Sequence, residues 1–168
     1  QAFRRPSNGT DLERLLNLYQ AGRNDGDFED GVERALQMVL SDPEFIYRTE
    51  KQPATAKAGQ PYRVSELELA SRLSFFLWSA PPDQQLITLA TQGKLRLSLA
   101  AQIKRMLADP KAHNFTVNFA GQWLQLRNLN GFAPIGDIYP DFDDNLRQAF
   151  RQEAELFFES ILKDDRNV

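Results

Sequence analysis

The chain contains no cysteine, and this absence excludes whole classes of site. Disulfides, cysteine-ligated zinc, iron–sulfur clusters, thiol catalysis and covalent haem attachment through Cys-x-x-Cys-His all need that residue. Histidine is almost as scarce, with His113 as the single one. Metal centres with several histidines are therefore excluded, and a Ser-His-Asp triad would have one possible base. We expect this chain to bind no cofactor, and in particular no haem and no transition metal.

Long apolar runs and a strong charge of one sign are also missing. No run approaches the ~20 apolar residues that cross a bilayer, and no signal-peptide pattern is present. The net charge is −3. Residues 62–136 carry eight basic and four acidic side chains, and residues 137–168 carry four basic and nine acidic ones. This pattern favours complementarity between protein surfaces over a nucleic-acid interface, which needs a concentrated basic face. We predict no nucleic-acid partner and no membrane-spanning segment.

The composition and the hydrophobic spacing predict an all-α protein. Apolar residues make up 42% of the chain and aromatic residues 11%, which is ample material for a packed core. Apolar residues recur at helical spacing, with no alternating run typical of a strand, and this favours an irregular bundle of about seven to eight helices in two subdomains. We predict a small three-helix module at residues 1–50, a linker at 51–61, and a larger helical module at 62–168.

Capping signals predict where several helices begin. Thr10 with Glu13, and Ser65 with Glu68, have the spacing of a capping box. Asp42 precedes a proline, and this pair suits an N-cap followed by the first helical position. The linker at residues 51–61 has two prolines, a glycine and no large apolar residue.

Apolar residues on two helices are predicted to face the core because they recur at helical spacing. The first helix runs from about residue 28 to residue 40, and the second follows residue 110. In the second we expect the tryptophan to be largely buried, and an aromatic-lined ligand pocket is the alternative. The residues are Phe28, Val32, Leu36 and Val39 in the first helix, and Phe115, Phe119 and Trp123 in the second.

The titratable residues match no catalytic or metal-binding motif that we recognise. His113 is interpreted as a surface or boundary residue. An acidic cluster near residue 140 lacks the glycine and the glutamate that an EF-hand loop requires, so helix-end electrostatics is favoured and calcium is the alternative. Three glutamates of the last helix are interpreted as a solvated or partner-facing stripe, since no Glu-x-x-His pair accompanies them. The cluster is Asp137, Asp141, Asp143 and Asp144, and the glutamates are Glu153, Glu155 and Glu159.

Trp78 and Asp83 flank a sharp corner of the chain, and they are the candidate interface residues. Two prolines make the corner rigid, and Asp83 is suited to cap the next helix. A structural role for this corner, which turns the chain and caps the next helix, is therefore favoured. The alternative is that Trp78 and Asp83 belong to a recognition surface for another module.

Several motifs resemble those of a known family. The chain resembles two adjacent helical domains of unknown function from large exported, cytochrome-c-associated proteins of planctomycetes and related bacteria, and the resemblance covers nearly all of it. The motifs are AFRRP at residues 2–6, ELASRLSFFLWS at 68–79, RMLADP at 105–110, FAGQWL at 119–124 and EAELFF at 153–158.

The resemblance implies a location and a kind of partner, but no catalytic residue. It implies a periplasmic or extracellular protein whose partners are other modules of the parent protein or a larger assembly. Any haem would lie elsewhere in the parent, because this chain has no cysteine. Neither end of the sequence resembles a natural terminus, so we expect the chain to be a fragment of a larger protein. We expect the second module to be incomplete at its C-terminus.

Two functions from different classes follow. The first is a non-catalytic interaction or scaffold module of an exported, cytochrome-associated multidomain protein. The second is a ligand-binding, polymer-binding or enzymatic module of an extracellular degradative or redox system. A deep polar cleft with convergent titratable groups would favour the second, and a helical body with its polar residues at the surface would favour the first.

Overall fold

The structure, a computed structural model, describes residues 2–164 and confirms the all-α prediction. Of these residues 67% are helical, none forms a strand, and eight helices are present. The helices are α1 (Gly9–Asp25), α2 (Phe28–Ser41), α3 (Pro43–Ile46), α4 (Glu66–Trp78), α5 (Gln84–Thr91), α6 (Leu99–Ala108), α7 (residues 110–123) and α8 (Asp144–Asp164). Short 3₁₀ turns lie at Arg96–Ser98 and Leu126–Asn130.

The described residues divide into two compact units. The first unit comprises residues 2–73 and Pro81–Leu97, and the second comprises Ser74–Ala80 and residues 98–164. Helix α4 is thus continuous across the division. The boundaries predicted from the linker at residues 51–61 stay a prediction.

In the first unit, α1 and α2 form an antiparallel hairpin with a very close approach. A Cβ added at Gly22 would lie 2.5 Å from the main-chain oxygen of Asp30, and one added at Gly31 would lie 2.7 Å from that of Tyr19. Only glycine leaves room for this backbone contact. Tyr19 and Phe28 close the turn end of the hairpin, with their ring centroids 5.9 Å apart.

The start of α1 differs from the prediction. The capping box is formed by Asn8 and Asp11, and the predicted pair of Thr10 and Glu13 is wrong. The Asn8 side chain accepts from the Asp11 N–H at 2.8 Å, and the Asp11 carboxylate accepts from the Asn8 N–H at 2.9 Å. Arg5 also holds Asp11 by two hydrogen bonds, which fixes the earlier start.

Three other predicted helix starts are confirmed. Asp42 caps α3 with Pro43 at the first helical position. Ser65 and Glu68 form the capping box of α4, with hydrogen bonds of 2.7 and 3.2 Å. Asp83 caps α5 by accepting from the main-chain N–H of Leu86 at 2.9 Å.

Each unit has its own buried side chains. Helices α4 and α5 supply most of the buried apolar residues of the first unit, which are Ala70, Leu86, Ile87, Ala90 and Leu95. The end of α4, helix α6 and helix α7 supply those of the second unit, which are Leu77, Trp78, Met106, Ala112, Phe115 and Ala120.

Several residues that were predicted to face the core are exposed, and they lie on two helices. Phe28 and Leu36 are 63% and 54% exposed, because α1 approaches α2 at Gly31, and Leu36 lies roughly 140° around the helix from that glycine.

The predictions for Phe119 and Trp123 in α7 are also wrong, since these side chains are 44% and 67% exposed. A π-helical segment, Thr116–Ala120, contains Phe119 and separates Trp123 from the buried Phe115. It breaks the regular spacing on which both predictions rested.

Candidate functional site

The second unit carries a groove of about 470 Å³ formed by the C-terminal end of α4 and by α7. We call it the aromatic groove. Its walls combine aromatic rings with uncharged polar side chains, and its lining residues are Phe75, Phe76, Ser79, Asn118, Phe119, Gln122 and Trp123.

The rings of the groove are exposed and yet held in place. Phe76 is 57% exposed and Phe119 is 44% exposed. Phe119 stacks on the buried Phe115 with centroids 5.0 Å apart and an angle of 7° between the planes. The ring of Trp123 lies next to that of Phe119, with centroids 6.1 Å apart. The ring of Phe158, in α8, packs against the same cluster, with its centroid 6.0 Å from that of Phe115. Ring contacts of this kind fix the orientation of the exposed aromatic faces.

The polar wall is built across the sequence. The Asn118 amide nitrogen donates to the Ser79 hydroxyl oxygen at 2.7 Å. Arg127 donates to the Asn118 amide oxygen at 3.4 Å, which sets the orientation of that amide. One helical turn earlier, Asn114 donates to the main-chain carbonyl of Trp78 at 2.8 Å and satisfies a carbonyl at the end of α4.

Two backbone irregularities occur in the lining of this groove, and a buried hydroxyl lies close to one of them in the sequence. Ser79 has a φ of 52°, in the left-handed region that few residues other than glycine adopt. Asn118 and Phe119 lie within the π-helical segment. At the start of this segment the hydroxyl of Thr116 is buried, and no hydrogen-bond partner for it occurs within residues 2–164. Such features are costly and are found more often at functional sites than elsewhere.

Trp78 lies in the core of the second unit. Its side chain is fully buried, and its indole N–H donates to the main-chain carbonyl of Met106 at 2.9 Å. Arg105 and Lys111 place their cations 5.4 and 4.8 Å from the ring centroid. Trp78 therefore supports the end of α4, and Asp83 caps α5 as described above. An interface role for this pair stays a prediction.

The first unit contains a polar cavity of about 430 Å³ between the N-terminal segment, residues 44–51 and the start of α4. Ion pairs join its walls. Arg72 binds Glu50 through two short hydrogen bonds, and Arg5 binds Glu44 at 2.9 Å. Arg4, with a φ of 54°, donates to three main-chain carbonyls at the end of α3. Sequence reasoning missed this network, because its members are up to 43 residues apart.

The pKa values in this network favour fixed charges over proton transfer. Hydrogen bonding from Arg5 lowers the pKa of Asp11 to about 2, and hydrogen bonding from Arg72 lowers that of Glu50. Burial alone would raise the pKa of Glu68, but hydrogen bonds from Lys51 and Ser65 outweigh burial and lower it. A general base works best with a pKa near the working pH. These carboxylates are therefore suited to joining the chain segments.

A third surface lies on α2. Its exposed side carries four apolar residues spaced four apart, and with neighbouring polar residues they line a shallow groove of about 510 Å³. Glu29 and Glu33 border this side. We call the four apolar residues the α2 stripe, and they are Phe28, Val32, Leu36 and Leu40.

The remaining titratable candidates do not converge. His113 is half-exposed and lies 2.9 Å from a carboxylate oxygen of Glu159, so the interpretation of a boundary residue holds for its position. Asp143 accepts from the main-chain N–H of Leu146 at 2.8 Å, as expected for helix-end electrostatics. Within residues 2–164 no group of three or more metal-ligating side chains converges. In the same range no helix combines the length and the apolarity needed to span a membrane.

Comparison with known families gives two matches. Residues 64–168 match PSD4, described as a protein of unknown function (DUF1592), over more than half of the chain. The chain belongs to this family. Residues 1–50 match PSD5, also described as a protein of unknown function (DUF1595), so two adjacent domains of unknown function are present. The aromatic groove lies within the PSD4 segment, and the α2 stripe within the PSD5 segment.

The comparison with curated proteins gives no match. The comparison with solved structures gives none either. The descriptions of both families assign no activity.

Proposed function

We propose that this chain is a non-catalytic interaction module, which binds a protein partner through the α2 stripe. The partner is another module of the parent protein or a member of a larger assembly. The observation that carries the proposal is the line of large apolar side chains at residues 28, 32, 36 and 40, on one side of a 14-residue helix. Anchors at intervals of four residues are typical of a helix that docks into a complementary surface.

Energetics support binding through several stripe residues together. Full burial of one Leu or Phe side chain gives about 1.5–3 kcal/mol, so a side chain that is already half-buried adds roughly 1 kcal/mol. Association also costs several kcal/mol of lost freedom. A partner must therefore cover the whole stripe together with adjacent polar residues.

Charge indicates the chemistry of the partner. The hairpin segment, residues 9–41, carries seven acidic and three basic side chains. Glu29 and Glu33 lie directly beside the stripe. A complementary partner surface is apolar at its centre and carries Lys or Arg at its rim, which would favour association at low salt and discriminate against acidic surfaces.

The experiment measures association between this chain and the other segments of its parent, produced separately, by titration calorimetry. We expect one segment to bind, and we expect Leu36→Asp to weaken the binding at least about tenfold, because it places a charge in an apolar contact. The matched control is Leu97→Asp. Leu97 belongs to the same unit, is 89% exposed and lies outside α2, so this variant should bind normally.

Two results would overturn the proposal. One is equal binding by the Leu36 and Leu97 variants, which would place the contact elsewhere. The other is no association with any segment of the parent. Binding should also weaken as salt rises from about 0.05 to 0.5 M, because screening reduces the attraction between an acidic rim and a basic rim.

We further propose, from the family resemblance alone, that the parent is exported and carries haem outside this chain. Detection of the parent in the periplasmic or extracellular fraction would test the location. A Soret band in the full-length protein, and none in this chain, would test the place of the haem. A full-length sequence without Cys-x-x-Cys-His would contradict covalent haem attachment.

A further inference from the structure

We propose that the aromatic groove of the second unit binds a neutral saccharide. The aromatic groove shares no residue with the α2 stripe, and sugar binding there does not require the proposed protein partner. Three features favour a sugar, namely the exposed aromatic faces, the hydrogen-bonding groups beside them and the absence of charge in the described lining.

The aromatic faces suit the flat side of a sugar ring. A pyranose presents a face of C–H groups, which packs against an exposed aromatic ring, while its hydroxyl groups point outward around the edge. Trp123 and Phe119 offer adjoining exposed faces whose centroids are 6.1 Å apart. We call these two faces the platform. Because the buried Phe115 stacks on Phe119, the platform is held in place before a ligand binds. Such preorganisation reduces the entropic cost of binding.

The polar wall supplies groups that can recognise hydroxyls. Ser79 accepts a hydrogen bond from Asn118, so its own hydroxyl proton is free to donate outward. The Gln122 side chain is exposed, and its amide makes no hydrogen bond within the described part of the chain. It can therefore both donate and accept. A purely apolar occupant would leave these groups desolvated without partners, which costs binding energy.

Charge narrows the ligand class. Among the described residues that line the groove, none is ionisable. The guanidinium of Arg127 lies beside the groove, where it donates to Asn118, but it does not line it. The lining itself therefore offers a phosphate, a sulfate or a uronic acid no opposite charge. A neutral, polyhydroxylated ligand matches both the rings and the amides. The groove volume of about 470 Å³ lies within the usual range for small-ligand sites, roughly 300–1,000 Å³.

The experiment is titration of the full chain with a panel of neutral oligosaccharides, namely cellohexaose, xylohexaose, mannohexaose and chitohexaose, followed by tryptophan fluorescence. The chain has two tryptophans, and Trp78 is fully buried. A sugar on the platform should therefore shift the emission of Trp123 and protect it from iodide quenching. We expect at least one member of the panel to bind.

Variants locate the site. Trp123→Ala should weaken binding about tenfold or more, and Gln122→Ala should weaken it severalfold, as expected for loss of a stacking face and of a hydrogen-bonding amide. Calorimetry provides the readout for the variant without the indole. The matched control is Phe157→Ala, which removes an exposed ring of α8 outside the groove and should leave binding unchanged.

Several outcomes would overturn the inference. These are no binding to any member of the panel, equal binding by the Trp123 variant, and, in a parallel titration with the charged polymer polygalacturonate, binding of that polymer alone. Protection of Trp123 by a protein segment of the parent, with no response to sugars, would make the groove a protein contact. Because Leu36→Asp should not affect sugar binding, failure here and failure of the α2 proposal are distinguishable.

Discussion

The indole N–H of Trp78 donates to the main-chain carbonyl of Met106 at 2.9 Å, and both side chains are fully buried. Met106 lies in the last turn of α6, and its carbonyl oxygen also accepts a longer hydrogen bond, of 3.3 Å, from the main-chain N–H of Asp109. The tryptophan thus gives a helix-end acceptor a second, shorter hydrogen bond and fills the core at the same place. Arg105 and Lys111 add cation–π contacts to the same ring.

Trp78→Phe should therefore destabilise the protein more than its conservative size suggests. Loss of the buried hydrogen bond costs about 0.5–1.5 kcal/mol, because the Met106 carbonyl keeps its bond from the Asp109 N–H, and the smaller ring adds a cavity cost. The measurement is the free energy of unfolding in urea. Trp123→Phe is the matched control, because that indole is exposed, and we expect a change within about 0.5 kcal/mol. Equal effects of the two substitutions would contradict this assignment of the core.

Local signals predicted the starts of α3, α4 and α5. Ser65 with Glu68, and Asp42 with its proline, act over a few residues, so the sequence contains all that their geometry needs. The start of α1 shows the limit of such signals. Asn8 and Asp11 form the capping box there, and Arg5 holds Asp11 from outside the helix.

The choice of buried face was less predictable. The four α2 residues that were predicted to face the core recur at helical spacing, but the position of Gly31 decides which side of α2 packs against α1. The exposure of Trp123 follows from a π-helical segment that no local pattern announces. The polar wall of the aromatic groove joins Ser79 to Asn118 across 39 residues. Regular spacing of Asn114, Asn118 and Gln122 was the one available signal for that wall.

Gly31→Ala should destabilise the hairpin of α1 and α2. The added Cβ would lie 2.7 Å from the Tyr19 carbonyl oxygen and 2.8 Å from its ring, so the helices must separate. Overpacking of this kind costs about 1–3 kcal/mol, which exceeds the gain of about 1 kcal/mol in helix propensity. Gly9→Ala in α1 is the control, since no atom lies within 4 Å of its added Cβ. Thermal unfolding of both variants is the measurement. A melting temperature for Gly31→Ala at or above that of the unsubstituted chain would contradict the close approach of the two helices.

Asp11 should make stability depend on pH in acid. Its folded-state pKa is lowered from 3.8 to about 2, chiefly by hydrogen bonding to Arg5. A carboxyl group with a lowered pKa stabilises the fold above its unfolded value, and this contribution is lost as the pH falls through the folded value. The difference in the free energy of unfolding between the unsubstituted chain and Asp11→Asn should therefore be largest above pH 4 and should shrink towards pH 2.

Urea unfolding at a series of pH values between 2 and 6 measures this difference. Glu13→Gln is the control, because Glu13 is an exposed carboxylate of the same helix. Asp11→Asn should lose more of its stability difference towards pH 2 than Glu13→Gln does, because Arg5 pairs with Asp11. Equal behaviour of the two variants would show that the pairing of Asp11 with Arg5 contributes nothing to the pH dependence.

Asp83→Ala should lower the free energy of unfolding by about 1 kcal/mol, the usual cost of losing an N-cap. The carboxylate accepts from the Leu86 N–H at 2.9 Å, and Asp83→Asn keeps an acceptor at that place. The Asn variant should therefore retain most of the stability. If Asp83→Ala instead left stability unchanged and abolished association with a segment of the parent, the residue would act at an interface and not as a cap.

Thr116→Val should leave the stability of the chain unchanged or increase it. The Thr116 hydroxyl is buried at the start of the π-helical segment, and it has no hydrogen-bond partner among the residues that the structure describes. A buried hydroxyl without a partner costs about 1–3 kcal/mol, and valine has nearly the same shape without the polar atom. We therefore expect a gain of up to about 1 kcal/mol in urea unfolding, since strain elsewhere in the segment remains. Thr116→Ser is the companion variant, because it keeps the hydroxyl and removes the methyl group, and it should destabilise the protein. A clear loss of stability in the valine variant would contradict this account of the hydroxyl as a destabilising, unpartnered group.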